Sequence, residues 1–326
     1  MAVSQTKSAA PRYSIAEWYG NPITLLSIKD RKALGEKAQL GFKDAAVQCP
    51  FRTKFFGKDM LCNKAGGVCC VAKYSTDTTV SPSITTVSDD LACLCPSRLL
   101  DRDVFKRIGQ AVLGTEDVYL VREVPFLQNV VSQSAAGRAA KAGRIDFVLV
   151  AKGDTSNWCA VETQSVYFSG DAMEEEFKTL AFLDGPLVSP VGQRRPDYRS
   201  SVPKRLSPQL MLKVPHLGKG KYLAVVVDRF VQGQMGPLEE VQLSDNIEDP
   251  EELRLEKLAL SEVIWFIVTL SPGKQAEVTT ERYATLAKSI KALDSALPIP
   301  ANRFSKGLEE LIADNAQWGD KVIQLF

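Results

Sequence analysis

Acidic side chains occur in two short segments whose other residues are mostly apolar. Asp146 lies within the run 144–150, and Glu162 and Gln164 are two residues apart within the run 158–167. A carboxylate in an apolar strand costs free energy unless a metal ion, a cation or solvent compensates its charge. Because side chains alternate along a strand, Glu162 and Gln164 project from one face, and neighbouring strands would bring all three side chains together. Two carboxylates and an amide form an oxygen-rich site suited to Mg²⁺.

Such a site predicts hydrolysis of a phosphodiester, because Mg²⁺ can activate water and stabilise the charge that develops on phosphate. An Asp on one strand with Glu-x-Lys on the next is the arrangement of PD-(D/E)xK nucleases, and Gln164 here occupies the lysine position. A neutral amide cannot act as a cationic acid, although it can orient water. Glu123, in the preceding strand-like run, is a candidate third carboxylate. The alternative interpretation is an edge strand with solvated acids, since short motifs need structural context.

The histidine content restricts the kind of site that the chain can build. His216 is the only histidine in 326 residues. Histidine-based triads and metal sites need well-placed imidazoles, so the chemistry must rest mainly on carboxylates, cysteines, lysines and amides. The formal net charge is +1, so any surface for nucleic acid must come from local segregation of charge.

Cysteines cluster near the N-terminus. Six of the seven lie between residues 49 and 95, and the set is Cys49, Cys62, Cys69, Cys70, Cys93 and Cys95. In a reducing compartment such clustering indicates a metal site rather than a disulfide framework. We select Cys49, Cys62, Cys69 and Cys95 as ligands of zinc or iron, because prolines or glycines flank most of them. Either Cys70 or Cys93 could replace a neighbour, and the alternative is a set of scattered buried thiols. The seventh, Cys159, is expected to be a core residue of a strand.

A basic segment follows the acidic one. Residues 193–205 contain one acid and five basic side chains, which are Arg194, Arg195, Arg199, Lys204 and Arg205. Arginines can bind phosphates or guanine edges, and the interspersed hydroxyl groups can donate to phosphate oxygens. A solvated loop is the alternative. The position next to the acidic residues favours contact with double-stranded DNA.

The pattern of apolar residues predicts a layered α/β domain over residues 96–326, preceded by a cysteine-bearing region over residues 1–95. Strands are expected at 118–124, 144–151, 158–168, 222–227 and 262–270. Helices are expected at about 28–42, 98–113, 171–183, within 250–260, at 279–293 and at 305–316. The helix at 171–183 is expected to be capped by Asp171, and residues 185–220 show little regular pattern.

The longest apolar runs, such as residues 263–268, are far shorter than the roughly 20 residues that span a bilayer. The first twelve residues are polar and lack the apolar core of a signal peptide. We therefore expect a soluble, cytoplasmic protein that does not bind membranes.

Several blocks of the sequence resemble the NotI-type restriction endonucleases. The most specific are Glu-Thr-Gln-Ser-Val-Tyr-Phe-Ser-Gly at 162–170 and Arg-Arg-Pro-Asp-Tyr-Arg-Ser-Ser at 194–201. Shorter ones are Cys-Pro-Phe at 49–51, Cys-Asn-Lys at 62–64, Gly-Gly-Val-Cys at 66–69, Cys-Pro-Ser-Arg at 95–98 and Gly-Arg-Ile-Asp at 143–146. With gaps, the likeness extends from about residue 21 to residue 268.

This resemblance implies a type II restriction endonuclease that acts as a homodimer, needs Mg²⁺ and cleaves a palindromic, often G/C-rich DNA site. It implies a PD-(D/E)xK core, a mixed central sheet flanked by helices, joined to a small N-terminal four-cysteine subdomain that binds a structural iron. Carried over, Asp146 and Glu162 would bind Mg²⁺ and Gln164 would replace the lysine. Two rival hypotheses are a catalytically inactive DNA-binding protein and a redox protein that uses cysteine-bound iron.

Overall fold

The computed structural model describes residues 12–76, 85–133, 139–190, 192–244, 247–294 and 299–313. The strands are β1 (Arg12–Trp18), β2 (Asn21–Pro22), β3 (Val68–Thr76), β4 (Thr85–Val87), β5 (Ala92–Cys93), β6 (Val118–Gln133), β7 (Ala139–Ala151), β8 (Trp158–Thr163), β9 (Tyr167–Gly170), β10 (Arg194–Asp197), β11 (Leu223–Asp228), β12 (Val263–Thr269) and β13 (Glu277–Ala284). The helices are α1 (Ile28–Ala38), α2 (Phe42–Ala45), α3 (Pro50–Phe56), α4 (Arg102–Ile108), α5 (Glu174–Phe182), α6 (Tyr198–Ser201), α7 (Ser207–Lys213), α8 (Arg229–Gln234), α9 (Pro250–Leu260), α10 (Leu286–Leu293) and α11 (Ala301–Ala313).

A six-stranded mixed sheet with the order β13-β12-β11-β8-β7-β6 forms the centre of the protein. β8, β11 and β12 are parallel, whereas β6, β7 and β13 run antiparallel to their neighbours. β11 is buried along its whole length, as expected for a parallel strand covered on both faces. Its successive side chains enter two different cores, with Val225 and Val227 on one side and Ala224 and Val226 on the other.

Helices cover both faces of this sheet, which gives the mixed α/β architecture that the sequence predicts. The first core receives Leu180 from α5, Leu210 from α7 and Leu293 from α10. The second core receives Val104 and Phe105 from α4 and Leu258 from α9. Both surfaces of the central strands are therefore removed from water, which provides the main driving force for folding.

A smaller sheet, β2-β1-β3-β4 with β5 paired to β3, belongs to the N-terminal region. The chain divides into two compact units, which are Met1–Asp294 and Ser295–Phe326. In the second unit, α11 carries Phe304, Leu308 and Ile312 at helical spacing, and all three are exposed. No helix in the described ranges is long and apolar enough to cross a membrane.

Two helix predictions are wrong in part. The expected helix at 279–293 begins only at Leu286, after the N-cap Thr285, because residues 277–284 pair with β12 as the edge strand β13. Val278 and the two threonines that follow it suit a half-buried strand better than a helix. Asp171 does not cap α5, which begins at Glu174 without a side-chain cap. Its carboxylate instead accepts a hydrogen bond from the backbone N–H of Gln193.

The segment 185–220 is more regular than the sequence predicts, since it contains β10, α6 and α7. Its prolines suggest irregular structure, but they are compatible with the start of a helix. Pro208 occupies the first turn of α7, where the missing N–H has no intrahelical partner to lose.

Candidate functional site

Three carboxylates lie at one level across three adjacent strands. In the β7–β8 pair, Phe147 faces Val161, so the next residues, Asp146 and Glu162, face each other. The backbone N–H of Asp146 donates to Glu162 Oε1 at 3.3 Å. Side chains directly opposite in an antiparallel pair lie on the same face of the sheet. The predicted convergence of Asp146 and Glu162 is therefore present in the structure.

Glu123 occupies the same level on β6. Its flanking residues pair with residues 147 and 145, which places Glu123 opposite Asp146. Glu123 has φ 47°, the left-handed conformation that a non-glycine residue adopts only at a cost. Its exposed carboxylate forms a 3.1 Å ion pair with Arg144. Moving inward from the edge strand, the row consists of two exposed acids, Glu123 and Asp146, and one buried acid, Glu162.

A buried lysine contacts the innermost carboxylate. Lys213, the last residue of α7, donates to Glu162 Oε1 at 2.5 Å and to Gln209 Oε1 at 3.1 Å. The side chains of Lys213 and Glu162 are only 6% and 3% exposed. Glu162 shares its face of the sheet with its register partner Val225, which belongs to the core that α7 covers.

The pKa values of both facing acids are raised, mainly by burial. Burial, and next the neighbouring Asp146, raise the pKa of Glu162 to about 7, although Lys213 lowers it. Partial burial of the carboxyl group also raises the pKa of Asp146, again against the effect of Lys213. In both residues burial is the largest cause, because it disfavours the charged form of a carboxyl group. A divalent cation fits this donor set, since Mg²⁺ is commonly held by one or two carboxylates together with water and phosphate oxygens.

Gln164 lies one residue beyond the end of β8. Its backbone N–H donates to the carbonyl of Val226 at 3.0 Å, which fixes the main chain next to β11. Its side-chain amide donates to the carbonyl of Ser165. In the described part of the chain, no hydrogen bond joins this amide to Asp146 or Glu162.

Four thiols meet at a second place. Cys49, Cys62, Cys69 and Cys95 line one cavity of about 10 Å³, together with Tyr19 and Lys64. Burial raises the pKa of Cys95 to about 11 and that of Cys69 well above its usual value, and a nearby cysteine adds to the second shift. Because each thiolate raises the pKa of a neighbouring thiol, a cation would be needed to keep several of them ionised.

The other cysteines point elsewhere. Cys70 and Cys93 face each other across β3 and β5, and both are fully buried. The Cys93 thiol donates to the carbonyl of Cys95 at 3.2 Å. Cys159 is fully buried in β8, as expected. In the described ranges, no group of three or more Cys, His, Asp or Glu side chains, the thiols and the acids included, is already arranged to hold a metal ion.

The basic segment divides into one structural arginine and several exposed side chains. Arg194 is 3% exposed and forms an ion pair with Glu176. It also donates to the carbonyl oxygens of Asp171 and Ala172 at 2.9 and 3.0 Å. The exposed basic side chains are Arg195, Arg199, Lys204 and Arg205. Arg205 lies 4.3 Å from the ring centroid of Tyr167, a cation–π contact.

Lys213 is the residue of this site that sequence reasoning missed. A signal for it exists, because Lys213 follows Leu206 by seven residues and Leu210 by three, which places it on the buried face of a helix. A lysine at such a position is rarely buried without a partner. The many prolines and glycines of residues 185–220 give the segment little regular pattern, which obscures this helical spacing.

Comparisons with known proteins support a family assignment. The family model described as restriction endonuclease NotI matches residues 34–285, which include the four thiols, the three acids, Lys213 and the basic segment. No curated protein sequence matches the chain. A solved structure of Pyrococcus furiosus SfsA in complex with Ca²⁺ is 8% identical, with 66% of this chain and 78% of that chain covered and a TM-score of 0.23.

Proposed function

Because the chain belongs to the NotI family of restriction endonucleases, we propose that it is a type II enzyme that needs Mg²⁺ to cleave both strands of a specific DNA sequence. The observation that carries this proposal is the facing pair Asp146 and Glu162, in register on adjacent strands with a buried lysine beside Glu162. The family indicates nuclease activity, and these two carboxylates are the proposed site of that activity.

Asp146 and Glu162 are the proposed Mg²⁺ ligands of a PD-(D/E)xK-type core, and Glu123 is the third acid of the row. An ion held by these residues would lower the pKa of an attacking water and stabilise negative charge on the departing 3′ oxygen. Two hydrogen bonds to Oε1 hold the Glu162 carboxylate in place, and its Oε2 would bind the ion. Asp146 and Glu123 are exposed, as residues that contact DNA phosphates or a shared ion would need to be.

Gln164 is proposed to orient water or the scissile phosphate rather than to supply charge. Its main chain is held against β11, so a rotation of the side chain alone would release the amide from Ser165. An amide both donates and accepts hydrogen bonds, and it carries no charge that could lower the pKa of a nearby water.

The four cysteines around the small cavity are proposed to hold a structural iron, with zinc as the alternative. All four are buried in a cavity of atomic size, and thiolates suit either metal. We assign this role to the region 1–95 and the nuclease chemistry to the region 96–326. A cytoplasmic location, where thiols remain reduced, suits this assignment.

Arg195, Arg199, Lys204 and Arg205 are the proposed DNA contacts, since all four side chains are exposed. Arg194, also expected to bind DNA, has its guanidinium donors directed at acceptors within the protein. We propose that it supports the segment that carries the others. A homodimer would place two such segments on a palindromic, G/C-rich site, because two-fold symmetry in the protein matches two-fold symmetry in the sequence that is read.

The test is digestion of a sequenced G/C-rich genomic DNA in Mg²⁺, with mapping of the fragment ends. Discrete ends at one recurrent sequence, absent in EDTA, are expected. Specific binding without cleavage by the native protein would refute the nuclease and leave a DNA-binding protein. A reversible one-electron couple with neither binding nor cleavage would indicate a redox protein instead.

A further inference from the structure

We propose that Lys213 is the positioning cation of the nuclease site, supplying from helix α7 the positive charge that Gln164 does not supply from the strand. The inference rests on the proposed function and adds a residue to the site. It follows from the contact between the Lys213 ammonium group and Glu162 Oε1 at 2.5 Å.

The contact is not explained by stability alone. Taking a lysine and a glutamate out of water costs several kcal/mol per ion, and apolar replacements of buried ion pairs are often neutral or stabilising. Lys213 is on the apolar face of α7, three residues after the fully buried Leu210, where an aliphatic side chain would pack without that cost. The ion pair is therefore energetically costly at this position, and packing alone does not account for it.

The geometry gives the lysine a specific task. Lys213 and the backbone N–H of Asp146 both donate to Oε1 of Glu162, and neither bond uses Oε2. The rotamer of Glu162 is thus fixed by two donors that bind the same oxygen. The second oxygen remains for a cation shared with Asp146, the residue that faces it in the sheet.

A second hydrogen bond restricts the conformation of the Lys213 side chain. Gln209, one turn earlier on α7, accepts a second hydrogen bond from the ammonium group at 3.1 Å, which limits the rotamers open to a long side chain. Leu210 of α7 and Leu206, the residue before its start, both pack in the first core. A partner that orients a metal-binding carboxylate in this way typically contributes about 10–100-fold to metal affinity or activity.

The experiment compares native protein with Lys213→Met on a synthetic duplex that contains the mapped cleavage site. Single-turnover cleavage is measured against Mg²⁺ concentration, binding is measured in Ca²⁺, and folding is checked by thermal melting. Lys213→Met is expected to require about 10–100-fold more Mg²⁺ for half-maximal cleavage, while binding stays within about threefold. A packing role alone would lower the melting temperature and leave the Mg²⁺ dependence unchanged.

Lys291→Met is the matched control, because Lys291 also pairs with a glutamate, Glu239, but on the exposed face of α10. It is expected to cleave like the native protein. If Lys213→Met fails to fold, Lys213→Arg keeps the charge with a different reach and should shift the Mg²⁺ dependence in the same direction.

A folded Lys213 variant with the native Mg²⁺ dependence would overturn the inference and leave the proposed function intact. A native protein that cuts no DNA in Mg²⁺ would instead overturn the proposed function, and this is seen before any variant is made.

Discussion

Removing each carboxylate of the facing pair should affect stability very differently. Glu162→Ala leaves the Lys213 ammonium buried with only an amide oxygen as a partner. Breaking a buried ion pair in this way costs about 3–5 kcal/mol. Asp146→Ala removes an exposed side chain, so its cost should be within about 0.5 kcal/mol. It also removes a charge that disfavours ionisation of Glu162, which works in the stabilising direction.

Both variants should lose cleavage, since each lacks a proposed metal ligand, so activity alone does not distinguish the two roles. The assay is denaturant unfolding in EDTA, at a pH above the pKa of Glu162, followed by single-turnover cleavage in Mg²⁺. We expect the free energy of unfolding to fall by about 3–5 kcal/mol for Glu162→Ala and to stay near the native value for Asp146→Ala. Specific DNA binding by Asp146→Ala should survive, because one repulsive charge near phosphate has been removed.

Equal stability of the two variants would refute the buried ion pair as described. Native cleavage rates in Asp146→Ala would refute the active site itself. Glu162→Gln provides an intermediate case, because its amide oxygen can still accept a hydrogen bond from Lys213, so its loss of stability should be smaller than that of Glu162→Ala.

Four further predictions concern other parts of the molecule. Cys49→Ser should reduce bound metal in elemental analysis and destabilise the N-terminal region, whereas Cys159→Ser should keep full metal content. Arg199→Ala should weaken binding to every duplex and reduce the salt slope by about one unit if the side chain contacts phosphate; an unchanged slope would make the segment a solvated loop. Gln164→Lys should lose part of the cleavage rate, and a faster variant would contradict the assignment of the positive charge to α7. Burial raises the pKa of Asp228 to about 6, so the folded state favours the protonated carboxyl group, and its contribution to stability is full below about pH 4 and lost as the pH rises through 6. Relative to Asp228→Asn, the native protein should lose about 3 kcal/mol of unfolding free energy across that window. If the unfolding free energies of the two proteins change with pH in parallel, the shift is refuted.

The pairing of the two acids could be predicted because local patterns determine it. Residues 144–151 and 158–163 are apolar runs separated by a short turn, and a two-residue period fixes which side chains share a face. Asp146 and Glu162 stand out as charged residues within those runs. The facing register then follows from the length of the connection at 152–157.

What could not be predicted depends on contacts between residues distant in sequence. Lys213 is 51 residues from Glu162, and only the packing of α7 on the sheet brings the two together. Arg194 looks like its basic neighbours in the sequence, but Glu176 on α5 pairs with it. The edge strand β13 likewise exists because β12 offers it a partner, which competes with the helical spacing of its apolar residues.

The left-handed backbone at Glu123 connects stability with the proposed activity, and this affects which substitutions residue 123 can accept. A non-glycine residue in that conformation costs on the order of 1–2 kcal/mol, so glycine is the substitution that would relieve the cost most simply. The same change would delete the outermost carboxylate of the proposed acidic row. Selection for greater robustness alone would favour loss of the acid at this position, and selection for catalysis would oppose it.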